Sequence, residues 1–129
     1  MKLLGTWKLK EMMMADENGV RMLGRDEIAA LPDMEEFDDL KKMLRADFIL
    51  SKKALDTYYM PLAEEIPLCE EEGLKITKYG VLLDSYPAKI EDGVLMLDYE
   101  KDGEEYFAVP LDEEGCLVIA DGMMKLCKV

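Results

Sequence analysis

A chain of 129 residues and 14.7 kDa, half of them hydrophobic, is long enough to bury one core without disulfide or metal staples. Its 29 Asp and Glu outnumber 16 Lys and Arg, and the resulting charge of −13 repels nucleic-acid phosphate and anionic lipid alike. Histidine is absent, which removes Ser-His-Asp and Cys-His nucleophiles and the usual zinc sites together.

The N-terminal apolar run ends at Leu4, far short of a secretory leader's apolar core. No stretch approaches the roughly 20 apolar residues of a membrane helix. Three cysteines, Cys69, Cys116 and Cys127, are too few and odd in number for a disulfide framework. The expected setting is a reducing cytoplasm, with no membrane insertion and no nucleic-acid partner.

From Leu4 to Met14 the chain alternates. Trp7, Leu9 and Met13 fall on one face and Thr6, Lys8 and Lys10 on the other, the period of a half-buried strand. Glu11 shares the apolar face, where a buried carboxylate would mark function; a bulge at Met12-Met13-Met14 would instead turn it out to solvent. The bulge is the favoured reading. Asn18-Gly19 then supplies turn chemistry.

Residues 25–46 change period. Arg25 to Leu31 reads as a short helix capped by Asp26. A second helix carries Met34, Phe37, Leu40 and Leu44 at three- and four-residue spacing, with Asp33 and Glu36 placed as a capping box. Together they predict a helical hairpin after the first strand.

Strands resume at Phe48–Leu50 and Leu55–Met60. Pro61 and Pro67 frame an acidic loop running to Glu70-Glu71-Glu72-Gly73, read as a solvated face. Six more strands are expected at Leu74–Lys78, Ser85–Ile90, Val94–Tyr99, Tyr106–Leu111, Leu117–Ile119 and Met123–Val129. Asp92-Gly93, Asp102-Gly103 and Asp121-Gly122 separate them, and Asp-Gly between β-rich runs is a strong hairpin signal. A meander of about eight to ten short strands leaves two raw edges unless it closes, so a mainly β antiparallel barrel is expected, with first and last strands meeting. The rival is an open, bent sheet with the helical hairpin on its concave face.

Gly5-Thr6-Trp7-Lys8-Leu9 resembles the Gly-x-Trp first-strand motif of the calycins, the superfamily of lipocalins and cytoplasmic fatty-acid-binding proteins. The order of one strand, a helical pair and a meander is similar across residues 1–129. The resemblance implies a single lipocalin-like up-and-down β-barrel domain whose end Trp7 closes and whose interior holds an apolar ligand. Intracellular fatty-acid carriers grip the carboxylate with an Arg-x-Tyr pair on the last strand. Here that stretch reads Met124-Lys125-Leu126, so ordinary fatty-acid carriage is not implied.

Other motifs weigh less. Asp16-x-Asn18 begins like a calcium loop, but Val20 and Arg21 occupy the positions where an oxygen ligand and a glycine are needed. Eleven methionines fill irregular apolar space more readily than they bind Cu(I) without histidine. Alternation puts Asp98 on the face opposite Leu97 and Tyr99, outside the sheet. If Asp121-Gly122 is a two-residue turn closed by Ala120 and Met123, then Ile119 faces Met124, Leu117 faces Leu126 and Cys116 faces Cys127. Counting from that turn, the cysteines fall at a hydrogen-bonded position, where a disulfide is strained.

The expected function is intracellular binding of a small apolar or amphipathic molecule inside the barrel. The candidate lining is Trp7, Leu9, Met13, Phe48, Tyr59, Leu97, Tyr99 and Phe107, which serve equally well as core. The alternative is a structural or self-associating module, a homo-oligomer with a filled core and no ligand. A histidine-free enzyme built on carboxylates and tyrosines ranks last. No cofactor and no metal is expected.

Overall fold

A computed structural model describes residues 3–129, with the Asp16 side chain excepted. Met1 and Lys2, the start of the N-terminal run, lie outside the described residues, as does the side chain that would open the calcium-like motif.

Among the described residues, ten strands form one curled antiparallel sheet: β1 (Gly5–Asp16), β2 (Gly19–Gly24), β3 (Ala46–Leu50), β4 (Ala54–Tyr59), β5 (Ile76–Thr77), β6 (Gly80–Glu91), β7 (Val94–Leu97), β8 (Phe107–Ala108), β9 (Leu117–Ile119) and β10 (Met124–Lys128). Eight run in the order β8-β7-β6-β4-β3-β1-β10-β9, a half-barrel, while β2 and β5 branch from β1 and β6. First and last strands meet, with Trp7 opposite Lys128 and Leu9 opposite Leu126. The two ends of the order also approach each other. Leu111 bridges Leu117, and the Val118 N–H donates to the Pro110 carbonyl at 3.0 Å.

The concave side buries Trp7, Leu9, Phe48, Leu50, Leu55 and Leu97 with Leu117 and Leu126 in one cluster. Trp7 is fully buried and its indole N–H donates to the Leu3 carbonyl at 2.8 Å, so its polar end is satisfied beside the apolar ring. Asp92-Gly93 makes the turn its composition demands. Both residues take positive φ (52° and 78°), and Glu91 pairs directly with Val94.

The helical segment departs from expectation. A β1–β2 hairpin comes first, and the helical hairpin is not clearly formed. Helix α1 (Arg25–Ala29) is capped by Gly24, whose N–H donates to Glu27 at 3.3 Å, rather than by Asp26. Pro32 prevents its continuation. Single 3₁₀ turns, Glu35–Phe37 and Met43–Arg45, flank the five-residue α2 (Asp38–Lys42). Asp33 caps nothing; it pairs with Lys41 at 2.7 Å. Ile28 is buried, and Leu31, Leu40, Met43 and Leu44 pack against the main cluster.

Four further readings change. Ile66–Glu71, inside the expected acidic loop, forms α3, with Pro67 tolerated in its first turn. Asp102-Gly103 makes no hairpin, because the loop after β7 is organised by Asp98. Asp98 is fully buried rather than outside: β7 ends at Leu97, alternation stops there, and the carboxylate accepts the N–H groups of Lys101 at 2.9 Å and Gly103 at 2.6 Å. The β9–β10 turn spans Ala120 to Met123, with Ala120, Asp121 and Gly122 all at positive φ (53°, 55° and 85°).

Candidate functional site

Between the concave sheet and the helical segment lies a cavity of about 280 Å³. Why it stays open follows from β1. The register against β10 slips between Leu9 and Glu11, a bulge just before Met12-Met13-Met14 rather than within it as expected. Beyond it Met12 and Met14, not Met13, pack toward the core. Glu11 is thereby on the outer face, 4.0 Å from Lys125. The bulge bends the strand, and the Leu9 carbonyl accepts the Arg25 guanidinium at 2.9 Å. Arg25 also donates to Leu44 at 2.6 Å, so one cation ties both ends of the helical segment to the bulge. The segment is thus held across the mouth of the half-barrel.

Met12, Phe48, Leu55, Ile119 and Met124 form the sheet side of the cavity, and Leu40 and Met43 form its cover. Thr57, Tyr86 and Tyr99 bring hydroxyls, and Asp39 and Asp84 are the charged members of the lining. The Tyr86 and Tyr99 rings meet edge to face at 5.5 Å. Tyr99 accepts the Ala120 N–H at 3.1 Å, and burial pushes its own hydroxyl pKa up. Burial also raises Tyr86, with a further push from the Asp84 carboxylate beside it. Asp84 feels the opposing effects of burial, which raises its pKa, and of Lys101 at 2.6 Å and the Ser85 N–H at 2.8 Å, which lower it further. The balance is a carboxylate held below its usual range, already paired with its cation.

Leu40 borders a second hollow, an open surface cleft of about 550 Å³ between the β1–β2 hairpin tip and α2, edged by Glu17, Asn18 and Glu36. The wider cleft faces water and is half polar; the inner cavity carries the apolar chemistry. Leu40 is the wall between them.

Of the eight expected lining residues, Phe48 and Tyr99 border the cavity. Trp7, Leu9 and Leu97 are fully buried in the core cluster and do not border the cavity. Met13 is displaced by the bulge. Tyr59 is buried but turned into a separate recess, where its hydroxyl donates to Glu65 at 2.5 Å and accepts Arg45 at 2.7 Å. Phe107 is not inside; it lies 43 % exposed on β8, a two-residue strand at the margin of the sheet. Sequence reasoning missed Met12, Leu40, Met43, Leu55, Thr57 and Met124. Leu55 and Thr57 carried a usable signal, since they alternate in phase with Tyr59 on one strand.

Among the described residues no group of three or more His, Cys, Asp or Glu side chains is placed to hold a metal ion, and no helix is long and apolar enough to cross a membrane. Comparison with protein-family models, with curated proteins and with solved structures returns no match.

Proposed function

We propose that this chain is a lipocalin-like carrier, its sheet closed into a barrel, which binds a compact, uncharged or cationic apolar molecule in the cavity beneath α2. The observation that carries the reading is the lining: an apolar hollow of about 280 Å³, just below the usual span of ligand pockets, left unfilled beside a fully packed core. Closure is supported by the β1–β10 pairing and by the stitch from Pro110 and Leu111 to β9. The charge of the ligand follows from the wall. The charged groups there are carboxylates, Asp84 already paired with Lys101 and Asp39 exposed, so a fatty-acid anion finds no unpaired cation among the lining residues and meets the Asp39 charge. Burial of ligand area at about 25 cal/mol per Å² supplies the driving force. A cytoplasmic setting fits the reading and is part of the proposal.

The test is fluorescence titration with neutral phenylnaphthylamine and anionic anilinonaphthalene sulfonate, before and after Met43→Trp. The neutral dye binds at least about tenfold more tightly, and the indole, placed in the cavity, abolishes its binding. Equal affinity for both dyes, or binding unchanged by Met43→Trp, overturns the reading.

A second reading, self-association, is favoured by one observation. Met60, Leu62, Leu68, Leu74, Leu82 and Leu83, all exposed, concentrate in the stretch around α3. Light scattering decides it: a dimer that Leu68→Glu dissociates supports this reading, and a monomer defeats it.

A further inference from the structure

Cys116 and Cys127 face each other across the β9–β10 hairpin with their sulfur atoms 3.0 Å apart. Their neighbours Leu117 and Leu126 point into the core, so by strand alternation the thiols lie on the opposite face, where Cys116 is buried and Cys127 half-buried. What decides their chemistry is the hydrogen-bond phase of the hairpin. A two-residue turn would have placed them at a hydrogen-bonded pair, where the side chains diverge. The observed four-residue turn inverts that phase. The Val118 N–H points away from β10, to Pro110, so Leu117 faces β10 and Cys116 faces away again. Cys116 confirms this with both backbone groups: its N–H donates to the Asp112 carboxylate and its carbonyl accepts the Asp112 N–H, each at 2.9 Å. The pair is therefore at a non-hydrogen-bonded position, where facing residues come closest and the spacing suits a cross-strand bridge.

We propose that Cys116 and Cys127 are a disulfide-forming pair, oxidised by a low-molecular-weight disulfide such as glutathione disulfide. Cys127, the more exposed thiol, loses its proton and attacks one sulfur of the oxidant, whose S–S bond breaks and releases one glutathione thiol. Cys116 then loses its proton and displaces the second glutathione from Cys127. Two protein S–H bonds and one external S–S bond become one protein S–S bond and two glutathione thiols, with two electrons passing to the oxidant. Burial and the adjoining Cys127 hold the Cys116 thiol up at about 11, which suits it to the second, intramolecular step rather than the first. The bond fastens β9 to β10 beside the contact between β9 and the Pro110–Leu111 segment.

The test is incubation of the reduced full-length chain with equal reduced and oxidised glutathione, followed by thiol counting and tryptic mapping. Lys125 lies between the two cysteines, so cleavage places them on different peptides and a linked pair is diagnostic. The free-thiol count falls from three to one, Cys69 being the thiol outside the pair, and the linked peptides join Cys116 to Cys127. Linkage is about tenfold or more faster in the folded chain than in urea. Oxidation raises the unfolding temperature of the wild-type chain, whereas Cys116→Ser accumulates glutathione on Cys127 and neither serine variant shows the rise. Three thiols left free, an unresolved glutathione adduct on wild-type Cys127, or linkage through Cys69 overturns the proposal.

Discussion

The two ends of the interior are built from the same strands yet differ in kind. At one end Trp7, Leu9, Leu50, Leu97, Leu117 and Leu126 are each at most 2 % exposed and pack in one cluster. At the other, Met12, Met43 and Met124 with two tyrosines surround a void. Branched and aromatic side chains with few rotamers specify one packing, whereas flexible thioethers tolerate an incomplete one. Tight packing and the void thus fall at different ends of the same sheet.

Truncation separates them most sharply. Trp7→Ala removes the largest side chain of the packed end and its bond to Leu3, and is expected to cost about 3–5 kcal/mol in urea denaturation. Met12→Ala, which only widens an existing void, costs about 1 kcal/mol. Equal losses would mean that the cavity end is as tightly specified as the Trp7 end.

Asp98 stands between Leu97 of the packed end and Tyr99 of the cavity, and its carboxylate holds the connecting loop. Asp98→Ala leaves the Lys101 and Gly103 N–H groups without their acceptor and is expected to cost about 2–3 kcal/mol. A loss below about 0.5 kcal/mol would show that the loop satisfies itself from water and that the two ends are not joined there.

Much of this contrast was legible in the sequence, for local reasons. Trp7 and Leu9 alternate with lysines, Asp92-Gly93 carries its own turn geometry, and the β9–β10 register follows from counting outward from Asp121-Gly122. What failed depended on partners far away in the chain. Asp98 reads as an outward residue only while its strand lasts, and nothing local says that β7 stops at Leu97. Phe107 reads as core by type, but its strand is two residues long and stands at the sheet's margin. The cavity itself is a negative space between the helical turns and a bulged strand, and Arg25 reaching Leu9 is the contact that sets it. Met12-Met13-Met14 suggests a bulge, but the slip falls just before it, between Leu9 and Glu11, and the residues it turns toward the void were not legible.

Alkaline titration distinguishes the recess around Tyr59 from the cavity tyrosines. Burial, and then the bond to Glu65, raise the Tyr59 pKa from 10.0 to about 12. The folded chain therefore keeps a proton that the unfolded chain gives up, so this stabilisation is complete below pH 10 and is lost as pH rises toward 12. Wild-type stability is expected to fall by roughly 1–2 kcal/mol more than that of Tyr59→Phe across this window. Filling the cavity with ligand should move the titration of Tyr86 and Tyr99 and leave that of Tyr59 in place. A Tyr59 shift on ligand binding would merge the recess with the cavity.

The smallest effect tests the bulge. Without a slip between Leu9 and Glu11, the Glu11 carboxylate would project among the side chains of the cavity end, and neutralising it would relieve a buried charge. With the slip it lies on the outer face, where a 4.0 Å approach to Lys125 in water contributes little. Glu11→Gln is therefore expected to change stability by less than about 0.5 kcal/mol at neutral pH and to leave dye affinity unchanged. Stabilisation of 1 kcal/mol or more, about fivefold in the folding equilibrium, would place the carboxylate inside and would move Met12, the residue the cavity depends on, to the solvent side.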